Sequence, residues 1–514
     1  MAVRCHPPLS HFCASDAMTP SPGDLQRYAR RVGVGLAPGE RIDDDPVGWA
    51  AAQLRSVPPI GILEPDGRER ADLPEGLRLR GSGDELMHAW QRHMDTVAQV
   101  RARSASLGEA AFRREFTERV GIPYFRLEPW KEVQARATTA VHGPAPVFER
   151  FWHFWTNHFT VAPGTMQNEV LVGPHQRALR ERMTGSFRDL LWQAVTHPGM
   201  LVYLDNVRNT GPNSRARRER WTRDSVNENL GRELLELFTL SPAAGYTQQD
   251  VEQATLVLTG WRVQRPDRSH RPGIPLGTRF VWDWHEPGAQ TVLGKRYQAL
   301  FKPESKLVEL IDDLAAHPAT ARHLAHKLCV QFIDDEPPAE AVAEVERAWQ
   351  GSAGHLPTVH EAVLRAAWRT LGRTRKFASP EAWFLQVHRC SGLAPPRALP
   401  LPGEAGLKTF YLLGDLGQAL PRCPQPNGWP IRSSEWLSRE LLDRRARLAQ
   451  LLATAAVREA GGAAQARVAA LVDTHWPADA GAGEGGTLAR QALAQRDPAR
   501  ALALVWLSPE FLWS

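Results

Sequence analysis

Apolar residues recur at helical spacing along most of the chain, whereas the alternation of apolar and polar residues that marks strands is scarce. We therefore predict a mainly α, large multi-helical globular fold. In this interpretation residues 22–514 form a single elaborated helical domain, and residues 1–21 form a disordered N-terminal extension. The predicted segments of the domain include a core at 145–261, an irregular insertion at 262–300, helices at 301–394, a loop at 395–435 and C-terminal helices at 436–514.

The insertion is rich in proline and glycine, and its β-like pieces, such as TRFVW and TVLG, are short. Proline and glycine interrupt regular elements. An irregular excursion with room for a small β-hairpin is the interpretation that fits best.

Two helix starts are specified by the pattern Ser/Thr-x-x-Asp/Glu. In this pattern the hydroxyl caps one backbone N–H and the carboxylate reaches back to another. The two pairs are Ser225 with Glu228 and Thr247 with Asp250. Both predict that a helix begins at that point within the core.

Composition points to a soluble globular protein, with 43% hydrophobic and 23% charged residues. No apolar stretch approaches the roughly 18 residues that a membrane span needs. The N-terminal sequence MAVRCHPPLSHFCASDAM has neither the apolar centre of an export signal nor a twin-arginine pair. A cytoplasmic location is therefore the default expectation.

The charge balance does not suggest a nucleic-acid partner, because 62 basic and 57 acidic residues leave a net charge of only +5. One segment, residues 208–225, nevertheless concentrates six arginines around Trp221. We interpret it as an exposed, mobile loop, with an anion-binding or RNA-binding patch as the alternative. The five cysteines lie far apart without a C-x-x-C pair, so neither a zinc knuckle nor a disulfide framework is indicated.

The segment FWHFWTNHFTV, residues 151–161, is predicted to be a core helix. At about 100° per residue its phenylalanines and Trp155 share a face with His158, while His153, Thr156 and Asn157 point elsewhere. A histidine among aromatic rings is usually a hydrogen-bonded core residue. The alternative is a ligand or an acid–base group whose pKa burial has moved.

The segment NENLGRELLELFTL, residues 227–240, supplies the second group of candidates. Its leucines cover one arc of the predicted helix, and the polar side chains that share a narrow stripe are Asn229, Arg232, Glu233 and Glu236. Such a stripe is typical of a solvated helix face. Two carboxylates one turn apart, beside an arginine and an asparagine, could equally bind a divalent ion or serve a hydrolytic reaction.

The candidate site combines the two segments. Its catalytic candidates are Glu233, Glu236 and His158, and its substrate-binding candidates are Asn157, Asn229 and Arg232. We hypothesise that Asn157 or His158 approaches the polar stripe. The hypothesis allows a divalent metal as cofactor and leaves its identity open.

Several ordered blocks of the chain resemble one family of uncharacterised bacterial proteins, the domain of unknown function 1800. The blocks are RFWHFWTNHFTV, GSFRDLLWQAVTHPGMLVYLDN, NENLGRELLELFTL, GYTQQDVEQATLVLTGW, FVWDWHEPGAQTVLG, HPATARHLAHKLCVQF and the terminal LSPEF. The resemblance implies a mainly helical fold. It also implies a partner from a phosphatase/sulfatase-like family and export of many members, in contrast to the N-terminal sequence here.

Two hypotheses of function follow. The first is an enzyme, such as a metal-dependent hydrolase, that acts on an envelope or extracellular polymer. The second is a non-catalytic binding or assembly protein that works with the phosphatase/sulfatase-like partner. No P-loop, nucleophile elbow or zincin motif assigns an enzyme class.

Overall fold

The structure, a computed structural model, describes residues 21–71, 79, 95–103, 108–119, 128–164, 166–263, 277–396, 408–475 and 491–514. The predicted extension at 1–21 therefore lies outside the described residues except for Ser21, as do parts of the predicted insertion and of the 395–435 loop.

The first half of the described chain is mainly helical, with longer irregular segments at 53–71 and 219–228. Its α-helices are α1 (Pro22–Val32), α2 (Pro46–Ala52), α3 (Glu109–Arg119), α4 (Glu128–His142), α5 (Pro146–His158), α6 (Met166–Arg180), α7 (Phe187–Thr196), α8 (Pro198–Tyr203), α9 (Arg215–Arg218), α10 (Asn229–Glu236) and α11 (Gln248–Leu258). Residues 95–103 are helical as well.

The second half continues in the same manner after a short β region. Its α-helices are α12 (Ser305–Ala316), α13 (Pro318–Phe332), α14 (Ala339–Gly351), α15 (Leu356–Thr370), α16 (Pro380–Ser391), α17 (Thr409–Asp415), α18 (Arg439–Ala460), α19 (Ala464–His475), α20 (Pro498–Trp506) and α21 (Pro509–Leu512). Short 3₁₀ turns occupy Asn206–Arg208, Pro242–Ala244, Trp282–Trp284, Ser433–Trp436 and Gly461–Ala463.

The strands confirm a mainly α fold with a small hairpin. Among the described residues they form two antiparallel pairs, β1 (Trp261–Val263) with β2 (Thr278–Phe280) and β3 (Gln290–Val292) with β4 (Lys295–Tyr297). Leu293 and Gly294 connect β3 to β4, both with positive φ (51° and 77°). Two successive positive φ values are the geometry of a tight hairpin turn whose twist suits the strands. The predicted insertion therefore contains a β-hairpin with a two-residue turn.

One of the two predicted capping boxes is present. The Thr247 hydroxyl accepts from the Asp250 N–H at 3.2 Å, and the Asp250 carboxylate accepts from the Thr247 N–H at 2.8 Å. The prediction for Ser225 and Glu228 is wrong, because α10 begins at Asn229, its N-cap residue is Glu228, and the Glu228 side chain makes no capping bond. The Ser225 carbonyl instead accepts from the Thr210 N–H at 3.2 Å, which holds this residue in the preceding connection.

The arginine-rich segment, residues 208–225, has mostly exposed arginine side chains, but residues near its start are packed against the rest of the protein. Asn209, Thr210 and Gly211 are buried, and the Gly211 N–H donates to the carbonyl of Trp284 at 3.0 Å. Five of the six arginines are exposed, and Arg217 is half-buried. Its predicted mobility stays a prediction.

The apolar core is divided into two large clusters. The larger is built around the aromatic face of α5, with Phe148, Phe151 and Trp155 fully buried. The other joins α4 and α16 to the C-terminal helices around Trp383 and Trp506. No described helix is both long enough and apolar enough to span a bilayer.

Candidate functional site

A small pocket lies on the polar side of α5. Arg150, His153 and Asn157 occupy positions i, i+3 and i+7, which places them on one face of the helix, away from the aromatic core. The pocket contains about 490 Å³ of non-protein space, part of it open to solvent. Its lining consists of Arg150, His153, Phe154, Asn157, Gln331, Lys376, Phe377, Ser379, Glu381, Gln418, Trp429, Pro430, Ile431 and Trp436. We call it the Arg150 pocket.

One wall of the Arg150 pocket is the irregular strip 428–431. The Asn157 amide both donates to the Trp429 carbonyl (2.8 Å) and accepts from the Trp429 N–H (2.7 Å). Lys376 Nζ donates to the Ile431 carbonyl at 2.7 Å. Gly428 has φ of 80°, and a Cβ there would lie 2.2 Å from the Asn157 carbonyl oxygen, so only glycine fits. Side chains from α5 and from residue 376 thus fix the strip.

The carboxylates near the pocket already have cationic partners. Glu381 accepts two hydrogen bonds from Arg136, from Nε at 2.5 Å and from Nη2 at 3.1 Å. Arg136 also donates to the Thr156 hydroxyl at 2.8 Å. Lys376 pairs with Asp335. Among the described residues, these pairs leave no unmatched carboxylate for Arg150.

Arg150 is buried without a matching acceptor. Its side chain is 7% exposed, and its guanidinium has no hydrogen bond or ion pair with any residue that the structure describes. Its Cζ lies 5.8 Å from the centre of the Phe332 ring. Burial lowers the pKa of Arg150 to about 10, while the nearby charge of Glu381 raises it. Arg150 therefore remains a cation at neutral pH.

His153 and Trp429 add further unmatched polar atoms. Both ring nitrogens of His153, which is 4% exposed, and the indole Nε1 of Trp429 are buried without a hydrogen-bond partner in the described part of the chain. Burial and the charges of Arg136 and Arg150 hold the pKa of His153 well below its usual range. A neutral imidazole keeps one N–H. Its other nitrogen is an acceptor, and Nδ1 lies 3.5 Å from the Glu381 carboxylate. The unmatched donors of the pocket are thus the Arg150 guanidinium, the Trp429 indole N–H and the one N–H of His153.

Asn157 is the predicted residue that this pocket contains, but both ends of its amide hold the backbone of Trp429. It therefore positions a wall of the pocket. Its predicted contact with a substrate stays a prediction.

His158 faces the other way, into the core, and is 1% exposed. Its Nε2 lies 3.3 Å from the carbonyl oxygen of Phe238, and its Nδ1 lies 3.0 Å from Lys327 Nζ. These two contacts occupy both ring nitrogens. His158 thus reaches the end of α10 through a backbone carbonyl, and a site that it shares with Glu233 and Glu236 stays a prediction.

The polar stripe on α10 forms its own network. Arg232 donates to Glu228 (2.8 Å) and to Gln248 (2.9 Å), and Tyr246 donates to Glu236 at 3.4 Å. Asn229, which is exposed, uses its backbone N–H to bind the side chain of Asn227 at 3.0 Å. Across the described residues no group of three or more His, Cys, Asp or Glu side chains is arranged to hold a metal ion, so the divalent metal stays a hypothesis.

Glu233 is the residue of the stripe with the most altered acidity. Burial and, to a smaller extent, the neighbouring negative charge of Glu236 raise its pKa to about 6, against the opposing effect of Arg232. A carboxyl group that titrates near pH 6 can serve as a general acid or base close to neutrality.

Replacing Glu233 with glutamine is expected to flatten the pH dependence of stability between pH 4.5 and about 6. The unfolded chain releases the Glu233 proton near the ordinary value of 4.5, and the folded protein releases it near 6. The wild type therefore loses stability as the pH rises through this interval, whereas the glutamine variant has no such loss. Melting temperatures of both proteins from pH 4 to 7 test this, and parallel curves would contradict it.

Arg150, His153, Glu381 and Trp429 are among the pocket residues that the sequence interpretation did not choose as site candidates. The sequence does contain a signal for Arg150 and His153. Together with Asn157 they repeat at helical spacing on the face opposite the aromatic residues, which predicts a shared polar face. Glu381 and Trp429 lie more than 200 residues further along the chain, and no local pattern links them to α5.

Comparison with known proteins gives one match. The model of the family described as "Protein of unknown function (DUF1800)" matches residues 27–513. No curated protein and no solved structure matches the chain.

Proposed function

Since the chain belongs to the DUF1800 family of proteins of unknown function, we propose a function from the site itself: the protein binds an anionic group in the Arg150 pocket. The group is a phosphate, a sulfate or a carboxylate. These share an excess of acceptor oxygens, which is the complement of the unmatched donors in the pocket.

The observation that carries this proposal is the buried, unpaired guanidinium of Arg150. A buried cation without a counter-charge is costly to the fold, so its presence calls for a compensating interaction. Arg136 already uses Glu381 in a two-bond contact. An incoming anion would supply the acceptor that the described residues do not provide.

The walls of the pocket are aromatic and amide groups that would surround the anion. Phe154, Phe377, Trp429 and Trp436 line it together with the amide of Gln418. Aromatic faces and amides around a few charged groups are typical of small-molecule sites. An acidic group of an envelope or extracellular polymer, the substrate class of the first hypothesis from the sequence, is one such anion.

Calorimetric titration with inorganic phosphate, sulfate and acetate, at constant ionic strength with chloride as the reference, tests the proposal. We expect the wild type to bind at least one of the three anions and Arg150→Met to lose that binding. Arg182→Met, which removes an exposed arginine beyond α6, should bind as the wild type does. Equal binding by the wild type and Arg150→Met, or none by the wild type, would contradict the proposal.

A hydrolytic reaction at α10 is the second candidate, and the acidity of Glu233 favours it. With a pKa of about 6, Glu233 would act as general acid or base beside Glu236. The pH measurement on Glu233→Gln tests this premise directly. Cooperation with a phosphatase/sulfatase-like partner stays a prediction from the family resemblance.

A further inference from the structure

Lys327, on α13, is hydrogen-bonded to the imidazole ring of His158. Its Nζ lies 3.0 Å from His158 Nδ1. Within the described ranges no carboxylate oxygen lies within ion-pair distance of Nζ. Lysines in folded proteins are almost never buried unless they are paired, and the side chain of Lys327 is partly buried.

The hydrogen bonds of His158 determine the direction of this contact. Its Nε2 lies 3.3 Å from the Phe238 carbonyl oxygen, which can only accept. Nε2 therefore carries the proton, and Nδ1 presents a lone pair to Lys327. Because burial and the charge of Lys327 hold the pKa of His158 well below its usual range, the ring stays neutral and supplies no negative charge.

The other titratable groups near Lys327 do not compensate its charge either. His323 and His326 lie on the same helix, and the pKa of His323 is lowered to about 4 by burial and by Lys327. Burial lowers the pKa of Lys327 itself to about 8. About a tenth of the side chains would then be neutral amine at pH 7.

The other lysines show how unusual this arrangement is. The chain has only seven lysines among its 62 basic residues. Lys131, Lys295 and Lys376 each pair with a carboxylate, and Lys306 donates to two carbonyls and a glutamine. Lys327 is bonded to a lone-pair nitrogen instead, so no carboxylate holds its amine in the charged form.

We propose that Lys327 is a reactive amine that forms an imine with an aldehyde or ketone ligand. The nitrogen lone pair attacks the carbonyl carbon, the C–N bond forms as the C–O π bond breaks, and a proton passes from nitrogen to oxygen. Loss of one water molecule then gives the C=N bond. The proton that the ammonium form must first release goes to solvent, and no redox partner is needed.

The reactive lysine lies next to the Arg150 pocket but does not depend on it. Phe154 on α5 and Gln331 on α13 line the pocket. His158 follows Phe154 by four residues and Lys327 precedes Gln331 by four residues, so each lies about 6 Å along its helix axis from a pocket residue. The imine proposal uses neither Arg150 nor an anionic group. The two proposals can therefore fail separately.

Reductive alkylation with propanal and cyanoborohydride at pH 7 tests the proposal, because this neutral aldehyde does not need the anion site. We expect mass spectrometry of chymotryptic peptides to show modification of Lys327 about tenfold or more above that of the exposed Lys302. The modification at Lys327 should rise with pH to a plateau above about pH 8.

Two variants sharpen the comparison. Lys327→Arg keeps a cation beside His158 but should lose the dominant modification, whereas Lys302→Arg should keep it. Modification that simply follows exposure, with Lys302 labelled ahead of Lys327, would overturn the proposal. The peptide map of the wild type decides the matter even if Lys327→Arg fails to fold.

Discussion

Replacing Arg180 with methionine is expected to lower the free energy of unfolding by about 3–5 kcal/mol. Arg180 and Glu149 are 2% and 1% exposed, and two hydrogen bonds of 2.6 Å join guanidinium and carboxylate. The guanidinium also lies 4.8 Å from the Phe148 ring and 4.9 Å from the Trp152 ring. Its loss would leave a buried carboxylate whose pKa burial already raises. Urea unfolding at pH 7 measures the change.

An exposed ion pair provides the matched control for this result. Arg188 bonds to Asp312 at 2.6 Å at the surface, so Arg188→Met should cost no more than about 1 kcal/mol. The double variant Arg180→Met/Glu149→Met should recover part of the loss, because it no longer buries an unpaired charge. Equal small losses for Arg180→Met and Arg188→Met would show that the buried pair does not stabilise the core.

Local patterns predicted the elements of this fold well. The face assigned to Phe151, Trp155 and His158 is buried on α5, and the capping box at Thr247 is formed, because both depend on residues within one or two turns. The failure at Ser225 has a tertiary cause. The Asn209 side chain accepts from the Asn227 N–H at 3.1 Å, which fixes the approach to α10 from outside the local sequence.

The candidate site could be predicted only in part for the same reason. The two bonds between Asn157 and Trp429 join residues 272 positions apart, and Arg136 meets Glu381 over 245 positions. The sequence identified Asn157 and His158 as unusual, but it could not show that one faces a pocket and the other a lysine. An absence of partners, as at Arg150, is a property of the assembled structure.

The contact between α5 and α13 combines these features. Phe151 and Phe332 stack at 4.3 Å near Arg150, and His158 meets Lys327 at the other end. Neither cation has a carboxylate partner among the residues that the structure describes. Two positive charges without an ion-pair partner on one helix pair attract anions to this region through their combined field. This supports the binding of an anionic ligand more directly than the paired charges of α10 do.

The variant Arg150→Met is expected to raise the free energy of unfolding of the ligand-free protein by about 1–3 kcal/mol. Folding lowers the pKa of Arg150 from 12.5 to about 10. At neutral pH the charged guanidinium is therefore more stable in the unfolded chain than in the folded protein, which lowers the free energy of unfolding. Methionine keeps an apolar stem near Phe332 and removes that charge.

Phosphate at about 100 times its Kd should stabilise the wild type by about 2.7 kcal/mol and leave the variant unchanged. Urea unfolding with and without phosphate measures both effects, with Arg182→Met as the surface control. A variant that is less stable than the wild type, yet still stabilised by phosphate, would mean that Arg150 supports the fold and does not bind the ligand.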